Sequence, residues 1–99
     1  MGFQTGEFVD TNSTLYTKVE ITVTTTSTTI SAELPSINLD DIQMVRLYNK
    51  GSAVVLYGPP GEEVDELFKR QNTSEPIKGF DMSFKTSSGS ATLVVTLLG

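Results

Sequence analysis

The chain contains no cysteine, no histidine and no tryptophan. Without cysteine there is no disulfide scaffold, no thiol nucleophile and no cysteine-ligated zinc or iron–sulfur centre. Without histidine, the usual general base near neutral pH and the commonest metal ligand are missing. Long apolar runs are missing too. None approaches the ~18 residues of a membrane-spanning helix, and residues 1–10 lack both the basic stretch and the apolar core of a signal peptide. Positive charge is scarce: 7 Lys and Arg stand against 12 Asp and Glu, a net charge of −5. That balance argues against a broad nucleic-acid surface. Proline is also scarce, at 4 residues, and apolar residues recur throughout. A glycosylated Ser/Thr stalk is therefore disfavoured.

Hydroxyl groups are abundant. The chain has 14 Thr and 10 Ser, about a quarter of its 99 residues. Threonine is β-branched and suits a strand, where its methyl packs and its hydroxyl meets water. The length allows one domain and not two. At this size roughly 60–65% of the unfolded chain's surface is buried on folding, so stability is modest or borrowed from a neighbour.

Residues 1–14 read as an arm, with Phe3, Phe8 and Val9 as the only large apolar groups and no sustained period. Phe3 and Phe8 are its candidate anchors on a partner. Residues 15–99 read as a single β domain. From Leu15 to Thr24, apolar and polar residues alternate with period two, the strongest strand signal in the chain. Residues 25–27 are the expected connection. Ile30, Ala32 and Leu34 continue the alternation until Pro35, which cannot donate to a ladder.

Residues 43–49 are apolar on both faces, Val45 and Leu47 on one and Met44 and Tyr48 on the other, with Arg46 among them. Such a strand is central or lies at an interface. Lys50 and Gly51 are expected to form a tight turn through positive φ at the glycine, returning residues 53–57 as a hairpin partner. Gly58-Pro59-Pro60-Gly61 then breaks the sheet. In residues 62–70, Val64, Leu67 and Phe68 fall at i, i+3 and i+4. That spacing fits a short helix or an irregular loop. Residues 71–79 read as a polar loop. Phe80, Met82 and Phe84 alternate next, and Ala91, Leu93, Val95 and Leu97 form the inner face of the last strand. Its other face, Thr92, Val94, Thr96 and Leu98, is half apolar.

The fold expected from this spacing is all-β: an antiparallel β-sandwich or flattened β-barrel of about six to eight strands, with at most one short helix. The surplus apolar faces of residues 43–49 and 91–98 call for a partner. Met44, Arg46, Tyr48, Val94 and Leu98 are the candidate oligomer interface, for a dimer or trimer of the chain.

Catalytic chemistry finds little support. Asp40 and Asp41 are adjacent, so in extended chain they point to opposite faces. Glu62, Glu63, Asp65 and Glu66 cluster after the Pro-Pro break, but their spacing is not that of a calcium loop. A solvated charged face is the expected role. No nucleophile elbow, P-loop or dinucleotide fingerprint is present. Two glycosylation sequons, at Asn12 and Asn72, are about what chance gives in so Ser/Thr-rich a chain. The expectation is a non-enzyme with no catalytic residue, no metal and no cofactor.

Residues 44–58, Met-Val-Arg-Leu-Tyr-Asn-Lys-Gly-Ser-Ala-Val-Val-Leu-Tyr-Gly, resemble a strand–turn–strand of small accessory proteins of tailed-phage virions. Those proteins carry a V-R-[IL]-x-N-x-G-[ST] hairpin, a strand ending in glycine and a final strand of alternating Val and Leu, here residues 91–99. The chain departs from the pattern at residues 58–70, where Pro-Pro and the acidic segment replace a plainer loop. The resemblance implies a virion structural protein, a capsid decoration or cement protein on the outer capsid surface. It would be made in the host cytoplasm and would bind the major capsid protein and itself, not nucleic acid or membrane. In that setting Glu7 and Asp10 of the arm would face basic groups of the shell beside Phe3 and Phe8. The alternatives are a carbohydrate-binding or adhesion module and a neck or tail component. The loops at 58–61 and 71–79 carry no aromatic to stack on a sugar, which counts against the first.

Overall fold

The structure, a computed structural model, describes residues 16–99; the arm and its candidate residues Phe3, Glu7, Phe8 and Asp10 lie outside the described residues. The fold is all-β: 48% of the described residues are strand and 8% helical. The chain order is β1 (Tyr16–Val23), β2 (Thr28–Thr29), helix α1 (Ile30–Glu33), a 3-10 turn at Leu39–Asp41, then β3 (Met44–Asn49) and β4 (Val55–Gly58). It continues with β5 (Asp65–Leu67), β6 (Asn72–Pro76), β7 (Ser83–Thr86) and β8 (Ala91–Leu98). Two four-stranded antiparallel sheets result, ordered β1-β8-β3-β6 and β2-β7-β4-β5. Among the described residues there is no closed barrel; the arrangement is sandwich-like.

The core is built from the inner faces of both sheets. Val23, Val45, Leu47, Leu93, Val95 and Leu97 come from the first, and Val55, Leu67 and Phe84 from the second. The alternation read in residues 15–24 and 91–97 places these side chains inward, as period two requires. β8 lies between β1 and β3, with Val19 opposite Val95 on one side and Leu47 opposite Val95 on the other. Its position as an inner strand explains why both of its faces are rich in apolar residues.

Four local expectations are corrected. Residues 30–34 do not extend a strand: after two strand residues the chain turns into α1. Thr29 caps it, its Oγ1 accepting from the Ala32 N–H at 3.1 Å. Ile30 and Leu34 are spaced for one helical face as well as for one strand face, and the exposed Ala32 between them has nothing to bury.

Residues 53–57 are not the hairpin partner of β3. β3 is already paired on both edges, by β8 and β6, so the chain crosses to the second sheet. Gly51 does not take positive φ there. Its role is close approach: a Cβ on it would lie 2.6 Å from Ala91 Cα and 2.7 Å from Thr92 N. Asn49, fully buried, braces the crossing. Its Nδ2 donates to the Ala53 and Leu67 carbonyls at 2.8 and 2.9 Å, and its Oδ1 accepts from the Gly51 N–H at 2.9 Å.

Residues 62–70 contain no helix. Asp65–Leu67 pairs with β4, Val55 opposite Leu67. Of the three residues at helical spacing, Leu67 is buried while Val64 and Phe68 are 75% and 48% exposed, so no helical face packs. The Pro-Pro-Gly turn, closed by Glu62 N–H to the Pro59 carbonyl at 2.8 Å, feeds a β hairpin instead.

Residues 71–79 are not all loop. Asn72–Pro76 forms β6 on the edge beside β3, and a polar sequence is tolerated there because the strand is solvated on one side. In the next segment Met82 and Phe84 are buried, but Phe80 is 74% exposed. A turn closed by Phe80 N–H to the Ile77 carbonyl interrupts the alternation before it.

Candidate functional site

The outward face of the first sheet is made of alternate residues from four strands. The register sets them in rows. Tyr16, Leu98, Met44 and Pro76 form one row, and Lys18, Thr96, Arg46 and Ser74 the next. Glu20, Val94, Tyr48 and Asn72 form the third. The five residues expected at an interface, Met44, Arg46, Tyr48, Val94 and Leu98, are therefore brought together on one face. Met44 stands opposite Leu98 and Tyr48 opposite Val94. Lys18, Glu20 and Ser74, not singled out from the sequence, sit beside them. Their signal was the polar half of the β1 alternation, which reads as solvent face when the strand's neighbours are unknown.

The face is concave, a hollow of about 690 Å³ with Lys18, Glu20, Arg46, Tyr48, Val94 and Thr96 in its lining. Val94 and Thr96 form the floor and are buried by the longer side chains on either side. Lys50 reaches across to Glu20, Nζ to Oε2 at 2.8 Å. That hydrogen bond, and then the Glu20 charge, raise the Lys50 pKa above its ordinary value. Lys18 and Arg46 make no ion pair among the described residues. The hollow thus holds two cations with no ion-pair partner among the described residues, and the row Tyr16, Leu98 and Met44 forms an apolar end of the same sheet face beside it. Tyr16 at that end is 65% exposed.

A second hollow, about 450 Å³, lies where the Pro-Pro turn meets the loop after β6. Tyr57, Pro59, Pro60, Phe80 and Met82 give it apolar walls, and Asp65, Glu75 and Asp81 rim it. Tyr57 O–H donates to Glu75 Oε2 at 3.4 Å, and Thr73 Oγ1 donates to the same oxygen at 3.0 Å. These contacts tie β4 of one sheet to β6 of the other. Burial pushes the Tyr57 pKa up, the Thr73 hydrogen bond opposes this, and the Glu75 charge adds to it. Sequence reading missed this hollow, because Phe80 fits an alternation that would have buried it.

Asp40 and Asp41 lie in the exposed 3-10 turn. Glu63 turns inward, its side chain only 4% accessible, and lies 3.8 Å from Lys85. Glu62, Asp65 and Glu66 face solvent. Among the described residues no three carboxylates gather closely enough to hold a metal ion, and no helix is long and apolar enough to cross a membrane. What the first sheet's outward face presents is apolar contact, two cations and the hydroxyls of Ser74 and Thr96.

Compared with protein families, curated proteins and solved structures, the chain has no match in any of the three.

Proposed function

We propose that this protein is a non-enzymatic virion structural protein, a decoration or cement protein that binds the major capsid protein on the outer surface of a tailed-phage shell. The observation that carries the reading is the outward face of the first sheet. It is continuous over four strands, part apolar and part cationic, and it offers a surface for another protein rather than a reacting group. The resemblance of residues 44–58 and 91–99 to virion accessory proteins supplies the class of partner. The arm, with Phe3, Glu7, Phe8 and Asp10, adds a second contact to the shell.

The test is co-sedimentation with shells assembled from the major capsid protein of the same genome. The wild-type chain pellets with the shells. Arg46→Glu combined with Tyr48→Ala reduces the bound fraction about tenfold, as expected when a cation and an aromatic leave the centre of an interface. A wild-type chain that stays in the supernatant removes the reading. The exposed Phe80 beside Glu75 and Asp81 favours one rival, a carbohydrate-binding module in which the ring stacks on a sugar. Binding on a glycan array that is lost in Phe80→Ala selects that rival.

A further inference from the structure

The four sheet edges are unequal. β2 is two residues long and β5 three, and β6 ends in proline. Short strands and edge prolines are the ordinary ways of blocking edge-to-edge pairing. β1 has neither. It is eight residues long, contains no proline or glycine, and pairs only with β8 among the described residues. Considering the described residues alone, its outer edge presents a row of backbone donors and acceptors, the template that β-strand addition uses.

We infer that this edge pairs with the same edge of a second copy, β1 antiparallel to β1 about a two-fold axis, with Val19 opposite Val19. The side chains select both the occupant and the register. A two-fold perpendicular to the sheet keeps outward residues opposite outward residues, so the axis must pass through a residue and not between two. Centred on Lys18, it sets two ammonium groups opposite one another. Centred on Glu20, it sets two carboxylates together. Like charges directly opposite are destabilising.

Centred on Val19, the axis sets Lys18 opposite Glu20 of the second copy, and Glu20 opposite its Lys18. Both ion pairs form on the outward face, and Tyr16 meets Thr22 beyond them. Inside, Val19 meets Val19 and Thr17 meets Ile21, continuing the core face. Glu20 holds Lys50 through Oε2, which leaves its other oxygen for the incoming lysine. The product is a continuous eight-stranded sheet whose two outward hollows lie side by side. This inference stands apart from the capsid reading, since it rests on the edge and its charges alone.

The experiment is sedimentation velocity on the full chain, with a far-ultraviolet β spectrum as the check on folding. The wild type is a dimer. Lys18→Glu sets two carboxylates opposite each other at both contacts, and Glu20→Lys sets two cations there. Each variant alone weakens dimerisation about tenfold or more. Mixed in equal amounts, they restore the dimer, because both carboxylates of one copy then face both ammonium groups of the other. Val19→Cys gives a second measurement in a chain with no other cysteine. The register places the thiols directly opposite, within disulfide reach, and mild oxidation cross-links the dimer. A wild-type chain that stays monomeric at ~1 mM, where even weak self-association populates the dimer, overturns the inference. So does a dimer indifferent to both charge reversals and uncross-linked by Val19→Cys; loss of that dimer in Tyr48→Ala would place self-contact on the outward face instead.

Discussion

Asn49 is wholly buried, and its amide is engaged on both sides: Nδ2 with the carbonyls of Ala53 and Leu67, Oδ1 with the Gly51 N–H. Its backbone is used as well, donating to the Gln71 carbonyl and accepting from the Arg70 N–H at 2.7 Å. One side chain thus ties the end of β3, the crossing to β4 and the end of β5. Asn49→Ala leaves two carbonyls and one N–H without their partner, at a cost of about 2–4 kcal/mol, read as a lower urea midpoint with an unchanged slope. The sequence shows an asparagine at the end of an apolar strand and nothing of the groups that converge on it.

Glu63 is a second inward polar residue. Its pKa lies below the ordinary 4.5, first through the Ser83 hydroxyl, against a desolvation that works the other way, and then through the N–H groups of Glu63 and Gly61 and the Lys85 charge. A lowered folded pKa means that the folded state favours the carboxylate. The stability this supplies is complete above pH 4.5 and is lost as pH falls below it through the folded value. Glu63→Gln therefore flattens the decline of the thermal midpoint below pH 4.5 and leaves no comparable change in slope near neutrality. An unchanged acid slope in the variant excludes Glu63 as its source.

At the scale of elements, legibility followed the depth of burial. β1, β3 and β8 were legible because each sends alternate apolar side chains into the core: Ile21 and Val23, Val45 and Leu47, and Ala91, Leu93, Val95 and Leu97. β5 and β6 are edge strands, and between them they bury one large apolar side chain, Leu67. Pairing by backbone hydrogen bonds leaves no hydrophobic period to read. The surface at Met44, Arg46, Tyr48, Val94 and Leu98 was legible for a related reason. The second apolar face of two inner strands is written in the chain, whereas their flanking Lys18 and Ser74 depend on which strands lie alongside. The connection after β3 was misread because Lys-Gly suits a hairpin as well as a crossing. Only the sheet order, with β8 and β6 on either side of β3, decides it. Gly51→Ala probes the close approach made in that crossing. Here the methyl meets the Ala91 and Thr92 backbone, which has no free rotamer with which to yield. The expected loss is about 1–3 kcal/mol in the equilibrium unfolding free energy, with strand content unchanged by circular dichroism.

For the whole molecule, the governing fact is that distant parts of the chain close the structure. β1 pairs residue for residue with β8, from Tyr16 opposite Leu98 to Val23 opposite Ala91. β2 pairs with β7, Thr28 opposite Phe84. β8 also supplies the other neighbour of β3, so the first sheet has no centre until the last strand is in place. Four core residues, Ala91, Leu93, Val95 and Leu97, come from that strand. Closing loops of this length is entropically costly before any contact repays it, and all-β domains with such pairing fold in milliseconds to seconds. Two outcomes are expected. Stopped-flow refolding of the full chain falls in that slow range. A fragment ending at Ser90 shows no cooperative unfolding transition, because β1 is left without a neighbour, β3 keeps only β6, and the inner faces of Val45, Leu47 and Ile21 lose the strand that joins them. Adding a peptide of residues 91–99 to the fragment restores the β spectrum at a rate that depends on peptide concentration. A fragment that melts cooperatively on its own would mean that the second sheet, with β3 and β6 laid against it, is an independent folding unit.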